Sequence, residues 1–314
     1  MWSILVGRSR VQGRRQMTNV LSKSRFDVHR AITDKIVQAI EAGAGKFVMP
    51  WHNVGLGIGR PLNVATGSRY RGVNVVALWA GAILSAFETG YWATYRQWQE
   101  VGAQVRKGER GSVIVFYKNL EPDLLTGEDG ERRFVARASH VFNADQVDGW
   151  RPPEPVFRSP VEVLEEVEAF VRATGADIGH KGSAAFYLER GDYIQMPERT
   201  LFHGTATSTS TESYYSTLLH ELTHWTGAKH RLNRTFGERF GDEAYAVEEL
   251  VAELGAAFLC ADLGISNDPR PDHAAYVSQW VKLLKNQPRA MIMAAQEASK
   301  ASEFLHELVS PERP

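Results

Sequence analysis

A single cysteine, Cys260, is all the thiol chemistry this 314-residue sequence holds. That excludes an internal disulfide and any zinc site built from cysteines. It fits a reducing compartment, so the chain is expected in the cytoplasm. Long apolar runs are missing as well. Nothing approaches the ~18 apolar residues of a membrane span, and the apolar stretch over residues 2–6 is too short for a signal-peptide core. No membrane partner is expected. Internal repeats and low-complexity tracts are absent. A hydrophobic content of 43% and a charged content of 23% exclude wholesale disorder.

Net charge is also missing, at −1 overall, but only in sum. Residues 1–120 carry 17 basic and 6 acidic side chains, and residues 121–314 carry 19 and 31. A basic half of this strength points to a polyanion partner. Residues 1–26 read as a flexible basic arm, in which Met17 is a second candidate start. Helical spacing over residues 27–42, a buried helix over 74–87, a strand entering a short helix over 92–105, and strands over 112–119 and 133–147 make residues 27–150 one domain. Four prolines in residues 151–160 mark a linker. Beyond it, over 161–314, the pattern is mostly helical, with short strands near 184–188 and 193–195. The expected fold class is therefore α+β in two domains, the second mostly helical with a small sheet.

The sharpest motif is His220-Glu221-x-x-His224. On a helix, residues four apart share a face, so both imidazoles can hold one Zn²⁺ while Glu221 serves as general base. A catalytic zinc needs a third protein ligand. His230 completes a metzincin-like spacing with Gly227. Glu249 and Glu253 lie one turn apart on an otherwise apolar helix, where a carboxylate pair wants a cation or a donor. Glu249 is the favoured ligand, Glu253 the favoured partner orienting a ligating histidine, and Glu248 the fallback should the helix phase differ by one.

The basic half interleaves cations with aromatics. Arg60, Arg69, Arg71, Arg96, Arg106, Lys107 and Arg110 accompany Trp51, Tyr70, Trp79, Trp92, Tyr95 and Trp98. Single strands are bound by cations that track phosphates and by rings that stack on bases. Tyr70-Arg71 and Tyr95-Arg96 are the expected platform-and-clamp pairs, whereas the tryptophans taken singly read as core. No Cys/His finger or basic zipper is present, which favours single strands, expected to be DNA, or backbone-only binding.

Several collinear motifs carry a family resemblance: YRGVN at residues 70–74, WATYRQW at 92–98, GAQVRKGERG at 102–111, YYSTLLHELTHWTG at 214–227, RLNR at 231–234 and YAVEELVAELGAAFL at 245–259. In these the chain resembles the ArdC-type antirestriction proteins of conjugative plasmids and related mobile elements. The first half also resembles a module of some plasmid primases. The resemblance implies a single-stranded DNA-binding domain followed by a gluzincin-like metallopeptidase domain. It further implies protection of incoming DNA from host restriction, and a host protein as peptidase substrate. Zinc is the implied ion, with Mn²⁺ as the alternative. The family reads TGH before RLNR, but Ala228 stands in the histidine's place, so the resemblance favours a glutamate of the EELVAE helix over His230. The competing expectation is a non-enzymatic single-stranded DNA-binding protein with a structural metal.

Overall fold

The computed structural model describes residues 27–43, 59–119, 134–153, 160–204, 208–236, 243–266 and 273–309. The expected basic arm, Trp51 and residues 154–159 of the expected linker lie outside them. Among the described residues no helix is long and apolar enough to cross a membrane.

The first half is built on a mixed sheet of four strands. Helix α1 (Val28–Gly43) precedes β1 (Leu62–Asn63), α2 (Val73–Ser85), β2 (Tyr91–Ala93), α3 (Tyr95–Glu100) and β3 (Gln104–Val105). The long strands β4 (Ser112–Asn119) and β5 (Phe134–Asn143) follow, then β6 (Val147–Asp148). The sheet order is β1-β2-β5-β4, which leaves β4 at an edge, and β3 pairs with β6 separately. Thr94 and Gln97 close a capping box at the start of α3. That box explains why a strand passes into a helix within WATYRQW.

The second half opens with α4 (Pro160–Ala173), whose proline occupies a first helical position that has no intrahelical use for an N–H. Strands β7 (Asp177–His180), β8 (Phe186–Leu188) and β9 (Tyr193–Met196) form a small sheet in the order β7-β9-β8. Four more helices follow among the described residues: α5 (Ser210–Thr226), α6 (Ala244–Leu263), α7 (His273–Asn286) and α8 (Arg289–Val309). The helices and the β8–β9 hairpin fall where the periodicity places them. The two-residue strands and β7 are additions, too short to show an alternation.

The core does not respect the division of the sequence. One apolar cluster joins Ile32 and Ile36 of α1 and Leu78 of α2 to Leu250 and Phe258 of α6, Trp280 of α7 and Met291 of α8. A second packs Phe170, Ile194, Leu218 and Leu222 against Leu259 and Leu305. Helix α6 has one face in each cluster, which is why it is apolar nearly all round. Trp79, Trp92 and Trp98 are buried, as read from the sequence.

Candidate metal centre and nucleic-acid face

Helix α5 begins at a capping box made by Thr209 and Glu212. Tyr214, Tyr215, Leu218, Leu219 and Leu222 bury it, which fixes the rotation that sends His220 and His224 towards α6. The two helices cross closely because residue 255 is glycine. A Cβ there would stand 2.7 Å from Thr223 Oγ1, and that hydroxyl already donates to the Leu219 carbonyl at 2.8 Å. Gly255→Ala is therefore expected to destabilise the chain by ~1–3 kcal/mol through overpacking. It should also weaken zinc binding, because Glu249 and Glu253 ride on the displaced helix; calorimetric titration with Zn²⁺ after a urea melt checks both.

The Nε2 atoms of His220 and His224 stand 3.1 Å apart. Glu249 places its carboxylate oxygens 3.7 Å from His220 Nε2 and 3.6 Å from His224 Nε2. Ligands on ~2.1 Å bonds at tetrahedral angles would sit ~3.4 Å apart, so this donor set has the size of a zinc site. Burial pushes the Glu249 carboxyl up, but the bond from His220, the charges of His224 and His220, and the Tyr245 hydroxyl outweigh it. Together they hold it at about 2.

The outer ring nitrogens are oriented by carboxylates. His224 Nδ1 lies 3.0 Å from Glu248 Oε1. A carboxylate only accepts, so Nδ1 carries a hydrogen, and Nε2 is left on the side of Glu249. His220 Nδ1 lies 3.7 Å from Glu253 Oε2, an ion-pair distance too long for a hydrogen bond. Glu248 is itself clamped by Arg234, whose Nε and Nη2 donate at 2.8 and 2.6 Å. Arg234 Nη2 also donates to the Thr223 carbonyl at 2.9 Å, so one guanidinium fastens the end of α5 to α6. Glu248 thus stands behind His224 and apart from the three converging donors. The role of Arg234 was not read from the sequence; an arginine closing a polar loop after a His-bearing helix was its only signal.

His230 stands away from this group. Its side chain is 62% exposed and lies 3.2 Å from Asp192 Oδ2. Arg231 Nη1 and the Tyr187 hydroxyl donate to the same carboxylate, each at 2.9 Å. Glu221 is buried at the floor of a cleft of about 710 Å³ that also exposes His220, His224 and Glu249.

The expected DNA contacts divide. Arg60 is a correction: its side chain is 7% exposed, its Nη1 donates to Asp262 Oδ2 at 2.8 Å, and its guanidinium lies 5.1 Å over Phe258. A cation held this way is an internal strut. Tyr70 is a second correction, because its ring is buried and its hydroxyl accepts from Asn63 Nδ2 at 3.1 Å. Burial pushes its phenol up to about 12, and it offers no open face to a base.

The other expected contacts keep some open surface. Arg69 is half exposed, with one edge on Asp262. Arg71 is exposed, 3.3 Å from Glu303 Oε1. Arg96 is exposed beside Glu100. Tyr95 shares one depression with Arg106 and Lys107, and Arg110 is exposed next to it. Arg106 is partly tied down by Glu109 and by the Asp145 carbonyl. Two exposed aromatics were missed, Phe116 and Tyr117 of β4. Consecutive strand residues face opposite sides, so an FY pair in a half-buried strand must expose one ring at least.

Residues 26–142 match the model of the N-terminal domain of anti-restriction factor ArdC, and residues 165–297 match that of a zincin-like metallopeptidase. Protein y4eC of Sinorhizobium fredii (strain NBRC 101917 / NGR234) is 44% identical over 287 residues, spanning 89% of this chain and 92% of its own. A DNA primase TraC of Escherichia coli is 35% identical over 294 residues, which cover 88% of this chain but 20% of the primase. Crystal structures of the antirestriction ArdC protein from R388 plasmid are 40% identical. The metal-free form superposes with a TM-score of 0.73, covering 90% of this chain and 98% of that one. The Mn(II)-bound form gives 0.74, covering 92% and 100%.

Proposed function

The chain belongs to the ArdC antirestriction family, with an ArdC-type N-terminal domain and a zincin-like metallopeptidase domain, and on that premise we propose that it binds single-stranded DNA of a mobile element, shields it from host restriction and hydrolyses peptide bonds of a host protein. The convergence of His220, His224 and Glu249 in a cleft that Glu221 also lines carries the peptidase reading. Two imidazoles and one carboxylate suit Zn²⁺ and leave a position for substrate. The Mn(II) form of the R388 protein makes manganese the second candidate.

When bound, such a cation supplies Lewis acidity towards a carbonyl and eases deprotonation of water. The Glu221 carboxylate takes the proton of the attacking water and returns it to the departing amide nitrogen. Glu248 and Arg234 hold the His224 ring, and Glu253 holds that of His220. None of these three touches the reacting atoms.

Arg71, Tyr95, Arg96, Lys107 and Arg110, with the open edges of Arg69 and Arg106, support the DNA reading by exposed positive charge beside an aromatic ring. Fluorescence anisotropy of a labelled dT20 against added NaCl tests it. Log affinity is expected to fall linearly with log salt, by ~0.7 per phosphate contacted. A flat response, or equal competition by duplex, rejects it. Unfolding of the chain on chelation with EDTA would instead mark the metal as structural.

A further inference from the structure

Between the β4 edge of the main sheet and helix α8 runs a groove of about 910 Å³ that the peptidase reading does not use. One wall is β4 with the loop at residues 69–72, and the other is the C-terminal part of α8. The walls are joined: Ser299 Oγ of α8 accepts from the Gly72 N–H at 2.8 Å. Gly72 sits at φ +56°, a left-handed conformation that glycine adopts without strain. The groove exists only where α8 docks on the first half.

Its chemistry suits a nucleic-acid strand. Phe116 and Tyr117 are 50% and 48% exposed. Tyr117 is steadied by His29, stacked at 5.9 Å and 18°. Among the charged lining residues, Arg69, Arg71 and Lys300 face one carboxylate, Glu303. The Arg71–Glu303 pair is solvent-exposed, and Lys300 is 49% exposed beside a partly buried Glu297. An exposed pair contributes little, so a phosphate can replace Glu303 at Arg71.

A peptide added as a fifth strand is the competing occupant, and the edge is blocked against it at Val115. Asn74 Oδ1 accepts from the Val115 N–H at 2.8 Å, and Asn74 Nδ2 donates to the Val115 carbonyl at 2.8 Å. An incoming strand would have to break both bonds in the middle of β4.

We infer that single-stranded DNA runs through this groove, with a base on Phe116 and phosphates at Arg71 and Lys300. The last helix of the metallopeptidase half thereby completes the DNA site. This rests on the single-stranded DNA reading above. Ser299 and Lys300 lie outside both stretches matched by the family models, residues 26–142 and 165–297.

The test uses the full chain, labelled dT20 and the variants Phe116→Ala and Lys300→Gln. Both changes are on the surface, and thermal melts should confirm an unchanged fold. Phe116→Ala is expected to weaken binding about tenfold or more. Lys300→Gln is expected to reduce the salt slope by ~0.7. Wild-type affinity and slope in both variants would overturn the groove assignment while leaving single-stranded DNA binding intact. Failure of the unaltered chain to bind dT20 would overturn the DNA reading itself. Binding of a labelled extended peptide that dT20 does not displace, and that Phe116→Ala abolishes, would assign the groove to a peptide.

Discussion

Glu221→Gln is expected to leave zinc binding by the full chain unchanged and to slow peptide hydrolysis by ~10²–10⁴-fold, the usual contribution of a positioned general base. The substitution keeps shape and volume at a buried position. It leaves His220, His224 and Glu249 themselves unaltered, along with their contacts to one another and to Glu248 and Glu253. What is lost is a carboxylate able to take a proton from water, because an amide cannot. Release of fragments from fluorescein-labelled casein, beside calorimetric zinc titration, reads both quantities. Undiminished turnover would remove Glu221 from the chemistry, whereas parallel loss of zinc and turnover would make it a ligand.

Asp262→Asn is expected to destabilise the fold by ~3–5 kcal/mol, the range for breaking a buried ion pair on one side. Asp262 is nearly buried at the end of α6 and receives Arg60, Arg69 and His306. Without its charge Arg60 stays buried over Phe258 with no counter-ion. The pH dependence has a definite sign. Burial raises the Asp262 carboxyl, but the His306 bond and the charges of Arg60 and Arg69 outweigh it and hold the folded value below the ordinary one. A depressed folded value stabilises above the unfolded pKa of ~3.9 and loses that contribution as pH falls through the folded value. Urea midpoints measured from pH 7 down to pH 3 should therefore fall in the natural chain and fall less in Asp262→Asn. Parallel curves would show that Asp262 is not the group responsible.

These two residues also show what could be read in advance. Glu221 was legible because a local spacing, four residues on a helix, carries the whole argument. The helices were legible for the same reason, since their apolar positions recur within a dozen residues. Asp262 was not, because its meaning depends on Arg60, some two hundred positions earlier. Arg60 therefore looked like one cation among many in a basic half. Tyr70 failed in the same way: YR beside glycine suggests an open platform, and only the packed sheet shows the ring turned inward. Phe116 and Tyr117 erred in the opposite direction, absorbed into a strand whose place at the sheet edge is set by strand order. On α6, Glu248, Glu249 and Glu253 all meet the two histidines, but one step of helix phase separates a carboxylate among the converging donors from one behind His224.

The shared core has a consequence during synthesis. Helix α1 buries Ile32 and Ile36 in a cluster that also needs Met291 and Ala294 of α8, so its apolar face has no complete partner until nearly the whole chain has left the ribosome. Domains made N-terminus first at ~5–20 residues per second normally fold as they emerge. Here the basic half would wait ~10–50 s for its last helix, a window in which its exposed apolar face is open to chaperones and to aggregation.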